Sequence, residues 1–341
     1  MPCRPAISSM SLGRAWVHEF PAKLSQAARY GFQGIELFHE DLERCDPENQ
    51  VLAAHAIRSM CSERGLAIIC LQPFLHYEGL KDREAHAQRL EKLQLWFQLA
   101  TALKTDVIQI PSSFLPHDEI TDDVDVIVAD LREVADMGAR QTPPIKFAYE
   151  SLAWGTHVDT WEQCWDIVTR VDRPNFGACL DTFNIAGRIF ADPASPSGMT
   201  ANAEADTRAS VERLVNTVDV AKVFFVQVVD AERLAEPLVE GHEFYSASQP
   251  ARMSWSRNCR LFYGEMDRGG YLPVKEITKA FILGLGYDGW EGNGGLGKIV
   301  EDCGLQTPTT TQQTRRTVTD AGACLNSFPS LAMQAGVVGR G

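Results

Sequence analysis

The chain has 341 residues and carries 45 acidic against 32 basic side chains, a formal charge of −13. So acidic a surface repels phosphate backbones and anionic membranes, which argues against nucleic-acid binding and membrane attachment. With 45% hydrophobic and 23% charged residues, the composition is that of a globular protein long enough for one large barrel or two medium domains.

In chain order, short apolar or β-branched runs predict strands over residues 6–9, 34–38, 67–72, 106–110, 145–150, 176–181 and 222–228. Apolar spacing near 3.6 predicts helices between them, over 20–30, 49–64, 82–102, 122–137, 160–171 and 208–217. Strands alternating with helices over about 290 residues indicate a parallel sheet covered by helices, and a (β/α)8 TIM barrel over residues 1–290 fits best. A doubly wound sheet is the alternative, but no G-x-G-x-x-G follows the first strand and no P-loop occurs. Two stretches break the rhythm. Residues 191–206 read as a loop between the sixth strand and its helix, and residues 230–271 as a longer excursion after the seventh strand. Both leave C-terminal strand ends, where barrel active sites are built, and both are candidate lids.

No apolar run reaches the roughly 18 to 20 residues of a membrane span, and the start lacks a secretory pattern. The nine cysteines are scattered without a C-x-x-C pair. They read as buried thiols in a reducing compartment, so a cytoplasmic location is expected.

The polar residues ending the strands carry the chemistry. They are Glu36, Gln72 with His76 beyond it, Gln109, Glu150, Asp181 and Gln227. Each alone also fits a helix cap or a cross-strand hydrogen bond. Glu150, Asp181 and Gln227 end consecutive strands, and two carboxylates with an amide oxygen make a hard oxygen site suited to Mg²⁺ or Mn²⁺. His39 and His76 follow strand ends, and His76 is the first choice for an acid or base because imidazole titrates near neutral pH. In ARMSWSRNCRLFYGE, Arg252, Arg257 and Arg260 lie beside Ser254 and Ser256, a local cation cluster able to clamp a carboxylate. A solvated or ring-stacked surface with Trp255 and Tyr263 is the competing reading.

The segments AISSMSLGR, GIELFHEDL, CLQPFLHYEGL, IQIPSSFLP, CLDTFNIAGR, VQVVDAERL and SWSRNCRLFYGE resemble the fungal 3-dehydroshikimate dehydratases of quinate catabolism, in the xylose isomerase-like superfamily of barrels. The resemblance runs in order from about residue 5 to Trp290. It implies a hydro-lyase that converts 3-dehydroshikimate to protocatechuate with a divalent metal, Mg or Mn. It implies Glu150, Asp181 and Gln227 as metal ligands and Ser256 with Arg260 as the carboxylate-binding pair. Arg257, Glu36 and Gln109 are assigned to the substrate beside them. Asn184 stands where many superfamily members have a catalytic histidine, which moves proton transfer to His76, Tyr77 or Glu78. The expected partner is a small-molecule carboxylate, with neither nucleic acid nor membrane, and a homo-oligomer is left open.

The family resembled ends its eighth strand in a glutamate that is the fourth metal ligand. Here Glu291 comes too early for it, and Gly292, Gly294, Gly295 and Gly297 follow, so the eighth strand is expected to be disrupted or missing. Residues 291–341 read as a divergent low-complexity tail, expected to be disordered, either genuine or translated in a shifted frame. A sugar isomerase or epimerase on the same barrel, or a non-catalytic relic lacking the fourth ligand, are the alternative functions.

Overall fold

The apolar runs form parallel strands because both faces of each are covered, one by the barrel interior and one by helices. The structure, a computed structural model, describes residues 3–293. Its barrel strands are β1 (Arg4–Ser8), β2 (Gly34–Phe38), β3 (Ala67–Gln72), β4 (Val107–Pro111), β5 (Lys146–Glu150), β6 (Phe176–Asp181) and β7 (Val223–Gln227). After β7 come a short antiparallel pair, β8 (Asp230–Ala231) and β9 (Arg260–Leu261), and then β10 (Trp290–Gly292). The order β1-β10-β7-β6-β5-β4-β3-β2 closes on itself, giving the expected barrel.

The eighth barrel strand, expected to be disrupted or missing, is present as β10. It pairs in parallel with β1 through Arg4 and Trp290 and with β7 through Gly292 and Gln227. Two facing strand edges with unpaired backbone groups favour a third strand even from a glycine-rich segment. Trp290 packs on the apolar floor of the barrel with Ala6, Cys70, Val107, Ala148, Cys179 and Phe225. The guanidinium of Arg4 lies 3.8 Å from its ring centroid. Strand alternation turns the side chain of Glu291 to the opposite face from Trp290 and Gly292, so it does not enter the barrel. The remainder of the expected tail, residues 294–341, lies outside the described residues.

Outward-facing Ile35, Leu37, Ile110, Phe147, Tyr149 and Phe176 are fully buried against the helices. Each such side chain contributes about 1.5–3 kcal/mol relative to exposure. After α1 (Phe20–Arg29), α2 (His39–Cys45) and α3 (Gln50–Ser62), capping sets where the helices begin. Asp82 accepts the amides of Glu84 and Ala85 at the start of α4 (Arg83–Leu103), and Thr160 with Gln163 forms a capping box on α6 (Trp161–Val171). The intervening α5 spans Val124–Ala139. No helix among the described residues is long and apolar enough to cross a membrane.

The two interruptions differ from expectation in detail. Asp181 accepts the Phe183 amide at 2.7 Å and starts α7 (Thr182–Ile189) directly after β6. The first loop therefore lies between α7 and α8 (Ala203–Thr217), not between strand and helix. The second contains α9 (Ala251–Cys259) between β8 and β9. The two are joined, since Arg252 donates to the carbonyls of Gly187 and Ala191 at 2.6 and 3.1 Å, and the Tyr271 hydroxyl donates to Gly198 at 2.7 Å.

Candidate active site

A closed barrel turns every second side chain inward, and above the apolar floor the strand ends present a polar layer. Glu36, Gln72, Gln109, Glu150, Asp181 and Gln227 all lie there, none more than 5% exposed. The amides hold the carboxylates. Gln72 and Gln227 donate to Glu36 Oε2 at 2.7 and 2.5 Å, and Gln109 donates to Glu150 Oε2. Because Gln227 donates its N–H to Glu36, its carbonyl oxygen is the atom it can offer to a cation.

Burial dominates the acid–base state of this layer. It pushes the Glu36 carboxyl up to about 7, opposed by the Gln227 and Gln72 amides and reinforced by the charge of Asp181. Burial, then the neighbouring Asp181, raises Glu150 well above the usual carboxylate range. Oε1 of Glu36 is buried without a hydrogen-bond partner.

Two residues bind the carboxylates together. The Asn184 amide donates to Glu150 Oε1 at 2.8 Å and to Asp181 Oδ2 at 3.0 Å, and its own oxygen accepts the Ala153 amide. Arg260 places Nη2 2.9 Å from Asp181 Oδ2, donates through Nε to Ser256 at 3.0 Å, and lies 4.3 Å from the Phe183 ring centroid. In the sequence Asn184 stands only as the replacement for a catalytic histidine, with no partner indicated. Its offset of three residues from Asp181, at the start of a helix, was the available signal, because that spacing puts both side chains on one face.

The structure thus brings together Glu150, Asp181, Gln227, Glu36, Gln109, Ser256 and Arg260. It separates Arg257 from them. Ser256 and Arg260 are four positions apart, so they face the same way, whereas Arg257 turns outward and donates to Gln249 at 2.7 Å.

The expected acid–base group divides. His76, at φ 56°, lies on the loop after β3 with Nδ1 3.2 Å from the Ser113 hydroxyl and its ring edge-on to Phe114. Burial, and secondarily Arg89, lowers its pKa to about 4, so the imidazole is neutral at neutral pH. Tyr77 does not reach the mouth. It is fully buried, and its hydroxyl donates to the Asp130 carbonyl on α5 at 3.0 Å. Glu78 is likewise behind the sheet, accepting the Ser113 amide at 2.6 Å and the hydroxyl of Tyr149, an outward-facing residue of β5, at 3.1 Å. Both are anchors for the loop. His39, also placed near the mouth by the sequence, stacks on Trp96 with centroids 4.9 Å apart.

Among the described residues, the three acid or imidazole side chains whose ligand atoms all lie within 4.8 Å of one another are His86, Asp130 and Glu133, on α4 and α5. Arg83 already holds Asp130 through both carboxylate oxygens, at 2.7 and 3.2 Å, and the Gly79 amide adds a third donor. There the guanidinium occupies both oxygens of Asp130, whereas at the mouth Arg260 contacts one oxygen of Asp181 and Glu36 Oε1 has no donor, so the mouth fits a divalent ion better.

The family model described as xylose isomerase-like TIM barrel matches residues 24–292, and the chain belongs to that family. A curated relative from Neurospora crassa, "3-dehydroshikimate dehydratase", is 60% identical over 305 residues, covering 85% of each chain. A Pseudomonas aeruginosa protein of the same name is 32% identical over 257 residues, covering 74% of this chain and 34% of its own. The solved structure of a xylose isomerase-like TIM barrel/4-hydroxyphenylpyruvate dioxygenase fusion protein superposes with a TM-score of 0.67 at 26% identity, covering 94% of this chain and 42% of the fusion.

Proposed function

We propose that the chain is a 3-dehydroshikimate dehydratase, a lyase that eliminates water from a cyclic keto acid to give protocatechuate. The observation that carries this reading is a polar barrel mouth in which buried, amide-held carboxylates face the Arg260–Ser256 pair, in a chain so similar to a curated enzyme of that name. Arg260, steadied on Phe183 and Ser256, receives the substrate carboxylate, and its forked donors suit that planar anion. In the neutral tautomer whose Nδ1–H donates to the Ser113 hydroxyl, His76 has Nε2 to accept the proton that the ketone acidifies and to return it to the departing hydroxyl, which leaves as water. The apolar floor below the ring gives the substrate a base of low dielectric, which strengthens every charge interaction above it.

Glu150, Asp181 and Gln227 would hold a divalent cation, Mg²⁺ or Mn²⁺. The donor set fits one, because all three offer hard oxygens and Glu36 beside them has an oxygen with no partner. When bound, such an ion stabilises negative charge developing on a ketone oxygen. The sequence alternative of a neutral-sugar isomerase has less support, since the guanidinium beside Asp181 suits an anion.

The test is the full chain mixed with 3-dehydroshikimate and Mn²⁺, followed by the ultraviolet absorbance of protocatechuate. A steady rise is expected. Turnover of ketoses with no response to 3-dehydroshikimate would contradict the proposal.

A further inference from the structure

The polar layer is uneven around the barrel. Strands β2 to β7 each contribute a side chain, whereas β10 contributes Gly292, in register with Gln227. A Cβ at Gly292 would lie 1.7 Å from Glu36 Oε1 and 3.3 Å from Gln227 Cγ. The volume that an eighth-strand side chain would fill is therefore held by the carboxylate of the second strand.

We infer that Glu36 is a ligand of the divalent cation, supplying from the second strand the carboxylate that the eighth strand lacks at Gly292. This rests on the cation site proposed above. Three observations carry it. Oε2 of Glu36 takes both amide donors, which leaves Oε1 buried, unpartnered and directed at the space inside Gly292. Gln227, itself a proposed ligand, is fixed by its bond to Glu36, so the two side chains present their oxygens as one unit. Asp181 and Arg260 act on both Glu36 and Glu150, and because the ligand atoms of these three carboxylates do not all lie within 4.8 Å of one another, an ion has to draw them together. Burial and the neighbouring carboxylates favour the protonated acids, and a divalent ion would reverse that preference by attracting the ionised forms. The competing role is a hydrogen bond from Oε1 to a substrate hydroxyl, which requires no bond to metal.

The test uses the full chain, stripped with a chelator, and Mn²⁺ alone as probe, read by calorimetry and by the electron paramagnetic resonance of the bound ion. Wild type is expected to bind one ion, and Glu36→Gln, which keeps the shape but loses the charge, to bind at least about tenfold more weakly, as Glu150→Gln does. Gly292→Glu combined with Glu36→Ala, which returns the carboxylate to the eighth strand, is expected to recover most of the affinity lost in Glu36→Ala alone. Glu36→Gln binding like wild type while Glu150→Gln does not would overturn the role of Glu36 and leave the cation site standing. No binding by wild type would overturn both. Should the variants not fold, anomalous diffraction from Mn²⁺-soaked wild-type crystals decides between a peak bonded to Glu36 Oε1 and one bonded only to Glu150, Asp181 and Gln227.

Discussion

Two regions of this molecule bury carboxylates in opposite settings. At the packing of α4 on α5, Asp130 receives a forked guanidinium and a backbone amide, and its own carbonyl accepts the Tyr77 hydroxyl. At the barrel mouth, Glu36 and Glu150 are held mainly by side-chain amides, and one Glu36 oxygen has no donor at all. Asp130, with both oxygens taken by donors, holds helices in place, whereas at the mouth the spare Glu36 oxygen keeps capacity for a ligand.

Substitutions can break that contrast, beginning with the largest effect. Glu150→Ala removes a proposed ligand and the partner of Asn184 and Gln109; steady-state kinetics should lose turnover by about a thousandfold, in line with the several kcal/mol a bound cation contributes. Arg260→Ala should lower kcat/KM by about a hundredfold, roughly 2.7 kcal/mol, mostly through KM, because the substrate carboxylate loses its clamp. Asp130→Asn should leave turnover per folded molecule unchanged while denaturant unfolding shows a loss of about 2 kcal/mol, reduced because Arg83 is half exposed. A large activity loss in this last variant would erase the distinction between the two regions.

The smallest effect concerns pH. Burial raises the Glu78 carboxyl from 4.5 to about 7, so the fold favours its protonated form. The stability it contributes is present below the unfolded pKa near 4.5 and is lost as pH rises through about 7. Between pH 6 and 8 this group costs wild type about 1 kcal/mol, and Glu78→Gln should flatten the pH dependence of the unfolding free energy, measured by denaturant titration, by that amount.

Much of the barrel is legible from the residues, because a parallel strand covered on both faces must be an apolar run and a polar residue at its end must face the mouth. Gly34–Phe38, Ala67–Gln72 and Phe176–Asp181 follow from that rule at both boundaries. Side-chain direction in loops does not follow from it. His76 takes a left-handed backbone conformation, and beyond it Tyr77 and Glu78 pack behind the sheet, so three adjacent residues that resemble one acid–base group lie in different environments. Arg257 departs from its expected place for a similar reason, since charge in a cluster says nothing about helix face. The eighth strand is not legible in the sequence because its propensity is poor and its formation depends on β1 and β7, which lie far away in the chain.

The central claim is that the mouth carboxylates of this chain take up a divalent ion and dehydrate 3-dehydroshikimate. The most direct measurement titrates Mn²⁺ into chelator-treated protein while protocatechuate formation is followed by absorbance. Activity should rise from near zero in proportion to bound metal and saturate at one ion per chain. Full turnover in the stripped protein, or stoichiometric metal binding with no turnover, would contradict the account.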